Sequence, residues 1–302
     1  MKLRLGTRGS ALALAQAELV GNALAAKGLE VEIVPITTSG DQRSERAAAP
    51  DDKSRFVKEI EDALLREEVG LAVHSAKDVP SELPDGLSIV GVPERADPRD
   101  ALCGAATLAE LSEGAAVGTS SLRRRAQLLA ARPDLRVEEL HGNVDTRLRK
   151  LAEGELDAIV LAAAGLRRLG REAEIGFAIP VETMVPAPGQ GTLVLQARAD
   201  DEETIAAVGG IFDLDAAREL TAERAAVRLL DASCTTPVGV FARVEGERLE
   251  LDAFVGLPDG SEWLRDHIDA DAGEPAVAGV LLAERLLGAG ARDLLDRAEA
   301  AA

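Results

Sequence analysis

The chain has 302 residues, 46% of them hydrophobic and 2% aromatic, with a formal net charge of −19. That length supports a core divided over two or three domains. The acidic balance and the scarcity of rings exclude nucleic acid and anionic membrane as partners, which reward basic surface and stacking platforms.

No apolar signal core follows Met1, and no later stretch approaches the ~20 apolar residues of a membrane span, so the sequence predicts a cytoplasmic protein. Cys103 and Cys234 cannot build a disulfide framework and read as free thiols. Leu3-Arg-Leu5 reads as a strand, and Ser10 as the cap of a helix whose apolar stripe is Leu12, Ala15, Leu19 and Ala23. Strands are expected at 31–36, 69–73 and 87–90, with a helix over 58–66, and this alternation predicts a parallel-rich sheet. The proline- and charge-rich stretch 92–100 reads as an exposed crossing between domains.

Beyond it the alternation restarts, with strands at 116–118, 137–140 and 158–162 and helices beginning at Leu122 and Val144. Pro186-Ala-Pro-Gly-Gln-Gly191 is a breaker cluster, read as a turn and hinge before a strand over 193–197 that returns to the first sheet. After Asp215 come an alanine-rich helix, strands near 238–244, 249–255 and 262–268, and helices over 277–287 and 291–301, a small α+β domain with an antiparallel sheet. The domains are expected at 1–93 plus 192–210, 98–187 and 214–302.

Charge is unevenly spread. Gly118 to Arg168 carries ten Lys/Arg against seven Asp/Glu, a local +3 that leaves −22 for the remainder. In Gly118-Thr-Ser-Ser-Leu-Arg-Arg-Arg125 the arginines occupy the start of a helix, where the macrodipole disfavours cations. An anion held by the helix start and the hydroxyls of Ser120 or Ser121 would explain them, and solvated surface arginines are the plainer alternative. Loops of strand–turn–helix type recur at Gly6-Thr-Arg-Gly-Ser10, His141-Gly-Asn-Val-Asp-Thr-Arg147 and Gly165-Leu-Arg-Arg-Leu169. Loops at strand carboxyl ends line the crevice of an open α/β sheet, so a polyanionic small molecule is the expected ligand.

His74-Ser-Ala-Lys-Asp-Val-Pro80 follows a strand and presents Lys77 beside Asp78, an acid or cation stabiliser if it is more than a turn residue. His74 reads as a packing histidine and Cys103 as core. Cys234, in the polar loop Asp231-Ala-Ser-Cys-Thr-Thr-Pro237, reads as the exposed thiol. The two cysteines and three histidines have no ligand spacing, so no metal site is expected.

Together, Gly6-Thr-Arg-Gly-Ser-Ala-Leu-Ala13, His74-Ser-Ala-Lys-Asp-Val-Pro80, Asp97-Pro-Arg-Asp-Ala101, Gly118-Thr-Ser-Ser-Leu-Arg-Arg124, Gly142-Asn-Val-Asp-Thr-Arg147, Ala164-Gly-Leu-Arg-Arg-Leu-Gly170 and Pro186-Ala-Pro-Gly-Gln-Gly191 resemble porphobilinogen deaminases from end to end. The resemblance implies two periplasmic-binding-protein-like α/β domains with a hinge, plus a small α+β domain with a three-stranded antiparallel sheet. It implies a monomeric transferase of tetrapyrrole and heme biosynthesis that joins four porphobilinogens head to tail on a covalent dipyrromethane, releasing ammonia and hydroxymethylbilane. Cys234 would carry the dipyrromethane. Lys77, Ser121, Arg123, Arg124 and Arg147 would hold the cofactor's carboxylates, and Arg8, Ser10, Arg168 and His141 those of the substrate. Asp78 would be catalytic, facing pyrrole N–H groups, and Lys53, Phe56 and Lys58 would belong to a lid. His141 stands where the family usually has arginine, Ala232 and Ser233 replace a glycine pair, and Asp52-Lys-Ser-Arg55 lacks the usual lid glycines. Two other readings remain open at this point: a non-catalytic two-lobed dicarboxylate-binding protein, and a homologue that loads the primer but elongates poorly because of His141.

Overall fold

The computed structural model describes residues 2–37, 57–80, 82–232 and 236–300. In chain order the strands are β1 (Lys2–Arg8), β2 (Glu30–Ile36), β3 (Leu71–Ser75), β4 (Leu87–Gly91), β5 (Asp100–Cys103), β6 (Ala116–Gly118), β7 (Arg136–Glu138), β8 (Ala158–Ala162), β9 (Phe177–Ile179), β10 (Leu193–Arg198), β11 (Val238–Glu245), β12 (Arg248–Gly256) and β13 (Trp263–Asp271). The helices are α1 (Ala11–Ala25), α2 (Lys58–Leu65), α3 (Leu122–Ala131), α4 (Val144–Ala152), α5 (Ala163–Arg168), α6 (Glu202–Val208), α7 (Leu214–Leu230), α8 (Pro275–Gly288) and α9 (Ala291–Ala300). They fall into two compact units, 1–96 with 191–217 and 97–190 with 218–302.

The first unit is built on a sheet ordered β2-β1-β3-β10-β4. As expected, the strand after the breaker cluster returns here, because β10 pairs with β3 and β4. The parallel-rich expectation is corrected: β1 is parallel to β2 and β3, but β10 is antiparallel to both its neighbours. β10 follows the breaker cluster at 187–191 and enters between β3 and β4 running against both, an orientation that the alternation of strands and helices within 1–93 does not encode.

Ser10 caps α1, its Oγ accepting from the Ala13 N–H at 3.4 Å. The stripe that α1 buries is one residue away from the expected one: Ala13, Gln16, Ala17, Val20 and Leu24 face the sheet, while Leu19 is 47% exposed. Apolar residues nearly encircle this helix, so periodicity offered two stripes and the contact with Leu3, Leu5, Val73 and Leu195 selected one. On the opposite face α2 inserts Ile60 and Leu64 against Val69, Ala72 and Leu87, each fully buried side chain contributing roughly 1.5–3 kcal/mol. The strand expected at 69–73 begins later, because the Val69 N–H is bonded to Ala63 O at the end of α2 rather than to the ladder.

The second unit holds two sheets. One is ordered β7-β6-β8-β5-β9, with β6 parallel to β7 and β8 and with β5 antiparallel to β8 and β9. It repeats the order of the first sheet, strand for strand. The strand expected at 137–140 is β7, shifted upstream, and the stretch 165–169 lies in α5 and its cap rather than in a loop. The expected exposed crossing is not uniformly exposed, since Val92 and Asp100 are both buried. The remaining sheet, β11-β12-β13, is antiparallel. Leu249, Leu251, Leu282, Leu286, Leu294 and Leu295 pack into the core between it and the two C-terminal helices.

Candidate functional site

Four of the expected site residues of the first unit stand at the carboxyl ends of two adjacent parallel strands. Arg8 closes β1, and Ser10 follows it as the cap of α1. β3 runs into a 3-10 turn, Ala76–Asp78, which carries Lys77 and Asp78. The turn is fastened by the Ala76 N–H donating to Thr192 O at 3.0 Å, and Ser75 Oγ accepts from Gln16 Nε2 at 2.9 Å. His74 is buried, and its Nε2 lies 3.1 Å from Gln196 Oε1. Burial pushes the imidazole down to about 4, although the Gln196 hydrogen bond and the charge of Asp78 both favour the cation and Arg8 opposes it. Lys58 is exposed at the start of α2, and Lys53 and Phe56 lie outside the described residues.

The second unit gathers its arginines around one carboxylate. Ser121 caps α3, its Oγ accepting from the Arg124 N–H at 3.5 Å. Arg123 grips Asp100 with both terminal nitrogens, at 2.7 and 3.2 Å, and donates to Val185 O at 2.6 Å. Arg124 donates from Nε to Asp100 Oδ1 at 2.8 Å and from Nη1 to Val160 O at 2.9 Å. All three side chains are buried, so the alternative of solvated surface arginines is overturned.

Burial works against ionised Asp100, yet the two guanidiniums beside it hold its carboxyl far below the usual carboxylate range. Two cations on one anion leave a buried excess of one positive charge.

Arg147, on α4, adds a partly buried cation to it. Its Nε donates to Gly142 O at 2.8 Å and its Nη2 reaches Ser120 Oγ at 3.4 Å. Burial, with Arg124 nearby, pushes its guanidinium down to about 10. Among the described residues no carboxylate pairs with it. Arg168 is also pushed down to about 10 by burial. His141 is half exposed, with Nε2 3.5 Å from Glu139 Oε2.

Cys103 is core, its thiol pushed up to about 11 by burial and so protonated at neutral pH. Cys234 and Ser233 lie outside the described residues, between α7 and β11. Among the described residues no cluster of His, Cys, Asp and Glu could hold a metal ion. No described helix is long and apolar enough to cross a membrane.

Sequence reasoning missed Asp100 and Gln190. Asp100 entered only as part of a motif, although a carboxylate leading the apolar strand Ala-Leu-Cys is itself the signal of a buried pair. Gln190 sits in the expected turn, where Gly189 and Gly191 adopt φ of 71° and 90°. Its buried side chain nevertheless donates to Pro98 O at 2.7 Å and Asp100 Oδ1 at 3.0 Å.

Comparison with known proteins agrees with this arrangement. Residues 3–206 match the family model "Porphobilinogen deaminase, dipyromethane cofactor binding domain", and residues 217–288 match "Porphobilinogen deaminase, C-terminal domain". A porphobilinogen deaminase of Brevibacillus brevis is 46% identical over 97% of this chain and 96% of its own. One from Trichlorobacter lovleyi is 45% identical over 98% and 96%, and one from Roseiflexus sp. is 48% identical over 97% and 98%. Among solved structures, the methionine binding protein MetQ is similar at 16% identity with a TM-score of 0.45, over 70% of this chain and 89% of that one. With two family models covering most of its length and relatives of this identity aligned from end to end, the chain belongs to the porphobilinogen deaminase family.

Proposed function

We propose that the protein is a hydroxymethylbilane synthase, a transferase that condenses four porphobilinogens head to tail and releases one ammonia per addition. The observation that carries this reading is the surplus of positive charge in the second unit: two buried guanidiniums share Asp100, and the partly buried Arg147 has no carboxylate among the described residues. Desolvated cations of this kind match a ligand that brings carboxylates. Every pyrrole of porphobilinogen carries an acetate and a propionate, and the product accumulates them.

The same donor set fits a dipyrromethane. Ser121, Arg123, Arg124, Arg147 and Lys77 would be the residues that hold its carboxylates, and Cys234 would be its anchor. When bound it supplies the primer on which the chain is extended.

Arg8, Ser10, Arg168 and His141 would bind the carboxylates of incoming substrate. His141 is the weakest of these, being half exposed and already beside Glu139. Asp78 would accept from the pyrrole N–H groups and stabilise the cationic azafulvene left when ammonia departs, a charge that exists mainly near the transition state. The proton displaced at each new carbon–carbon bond leaves with the ammonia as ammonium. Lys53, Phe56 and Lys58 would gate access. We further assign three domains, 1–93 with 192–210, 98–187 and 214–302, to a cytoplasmic monomer.

The experiment is the intact mass of the purified protein with a peptide map across Cys234. A dipyrromethane-sized adduct on that residue, together with turnover that is lost in Asp78→Ala, is expected. A Cys234 that stays unmodified after addition of porphobilinogen would sink the reading.

A further inference from the structure

One row of polar groups crosses the otherwise apolar layer beneath α2. Ile60, Ala63, Leu64, Val69, Ala72 and Leu87 form that layer. Through it, Gln196 on β10 donates from Nε2 to Glu61 Oε1 on α2 at 2.9 Å, and its Oε1 meets His74 Nε2 on β3 at 3.1 Å. All three side chains are buried. The row has one consistent direction. Burial raises the Glu61 carboxyl and the Gln196 hydrogen bond opposes it; with Glu61 ionised it only accepts, so the amide nitrogen of Gln196 faces it, the amide oxygen faces His74, and the imidazole donates from Nε2. A neutral ring in that tautomer keeps its proton pointed into the layer and bears no charge towards Asp78 and Arg8, whose fields both reach it.

We propose that His74 is a positioning residue for Asp78: the row Glu61–Gln196–His74 locks the ring as the neutral Nε2–H tautomer, so that no imidazolium competes for the Asp78 carboxylate. His74 lies on the strand that runs directly into the turn bearing Asp78, and Gln196 belongs to the strand that follows the residue fastening that turn. The row therefore braces the base of the turn and controls the charge beside it. An imidazolium here would draw on the same negative charge that the departing ammonia requires, and would lower the rate of the chemical step without weakening carboxylate binding elsewhere. The inference rests on the condensation proposed above.

The test uses the full chain and its own spectroscopic label, since it contains only three histidines. Two-bond ¹H–¹⁵N spectra of the wild-type protein at pH 7 are expected to show one buried ring, lost in His74→Gln, as the neutral Nε2–H tautomer. A Nδ1–H tautomer or an imidazolium at that position overturns the proposal. In the kinetic arm Gln196→Glu places a carboxylate against the ring, and kcat for porphobilinogen consumption is expected to fall roughly tenfold or more with KM within about threefold. Unchanged kcat in a variant with a wild-type melting temperature overturns it. His74→Gln, which cannot become a cation and can still donate to Gln196, is expected to retain most of kcat, and a lost kcat in a His74→Gln protein with a wild-type melting temperature overturns the proposal even where Gln196→Glu does not fold. A wild-type protein with no turnover would instead defeat the condensation reading and leave the tautomer result standing.

Discussion

The two larger sheets share one strand order but carry opposite electrostatics at the same place in it. In the first, the antiparallel strand β10 lies beside β3, and Gln196 joins the neutral ring of His74 to the Glu61 carboxylate in a row that holds no cation. In the second, the antiparallel strand β5 lies beside β8, and Asp100 gathers Arg123 and Arg124 into a cluster with one positive charge to spare. The topology supplies a buried polar position next to the third parallel strand. The residues placed there decide whether that position steadies a turn or holds anions.

The strongest way to break the comparison is to remove the charge from the second cluster. Asp100→Asn leaves two buried guanidiniums without their carboxylate, and unfolding by denaturant should show a loss of about 3–5 kcal/mol. A loss below about 1 kcal/mol would mean that water reaches the cluster and that the contrast between the sheets is false.

The first row should announce itself through acid. His74 is held neutral in the folded state but binds a proton near its ordinary value of 6.5 when unfolded, so the unfolded state takes up more protons as pH falls. A shift from 6.5 to about 4 corresponds to about 3 kcal/mol of stability present at pH 7 and lost between pH 6.5 and pH 4. His74→Gln should flatten that part of the stability profile, and an unchanged slope would count against a neutral ring.

A smaller effect sharpens the functional side of the contrast. Arg147→Ala removes a cation that orphans no described carboxylate, so stability should change little. Formation of the dipyrromethane adduct from added porphobilinogen, followed by intact mass, should nevertheless slow roughly tenfold or more, the worth of a charge-assisted hydrogen bond of about 1.5–3 kcal/mol. Smallest of all, Ser10→Ala should cost about 1 kcal/mol through loss of the α1 cap. A larger fall in activity than the cap explains would point to substrate contact by the hydroxyl.

Much of this was legible in the sequence. Strand runs such as Ala158–Ala162, the caps Ser10 and Ser121, and the alanine-rich helix ending at Leu230 are set by local propensity and hydrogen bonding within a few residues. The arginines stood out because they opposed the dipole of their own helix, again a local conflict. Tertiary structure decided everything that depends on which partner arrives. It chose between two apolar stripes on α1 and turned β5 and β10 antiparallel. It also brought Asp100 to Arg123 and Arg124, 23 and 24 residues along the chain, and Glu61 to Gln196 across 135. Local pattern encodes where strands and helices form, because apolar area drives burial; which face is buried and which polar partner is met are fixed only when distant elements pack and each desolvated donor must find an acceptor.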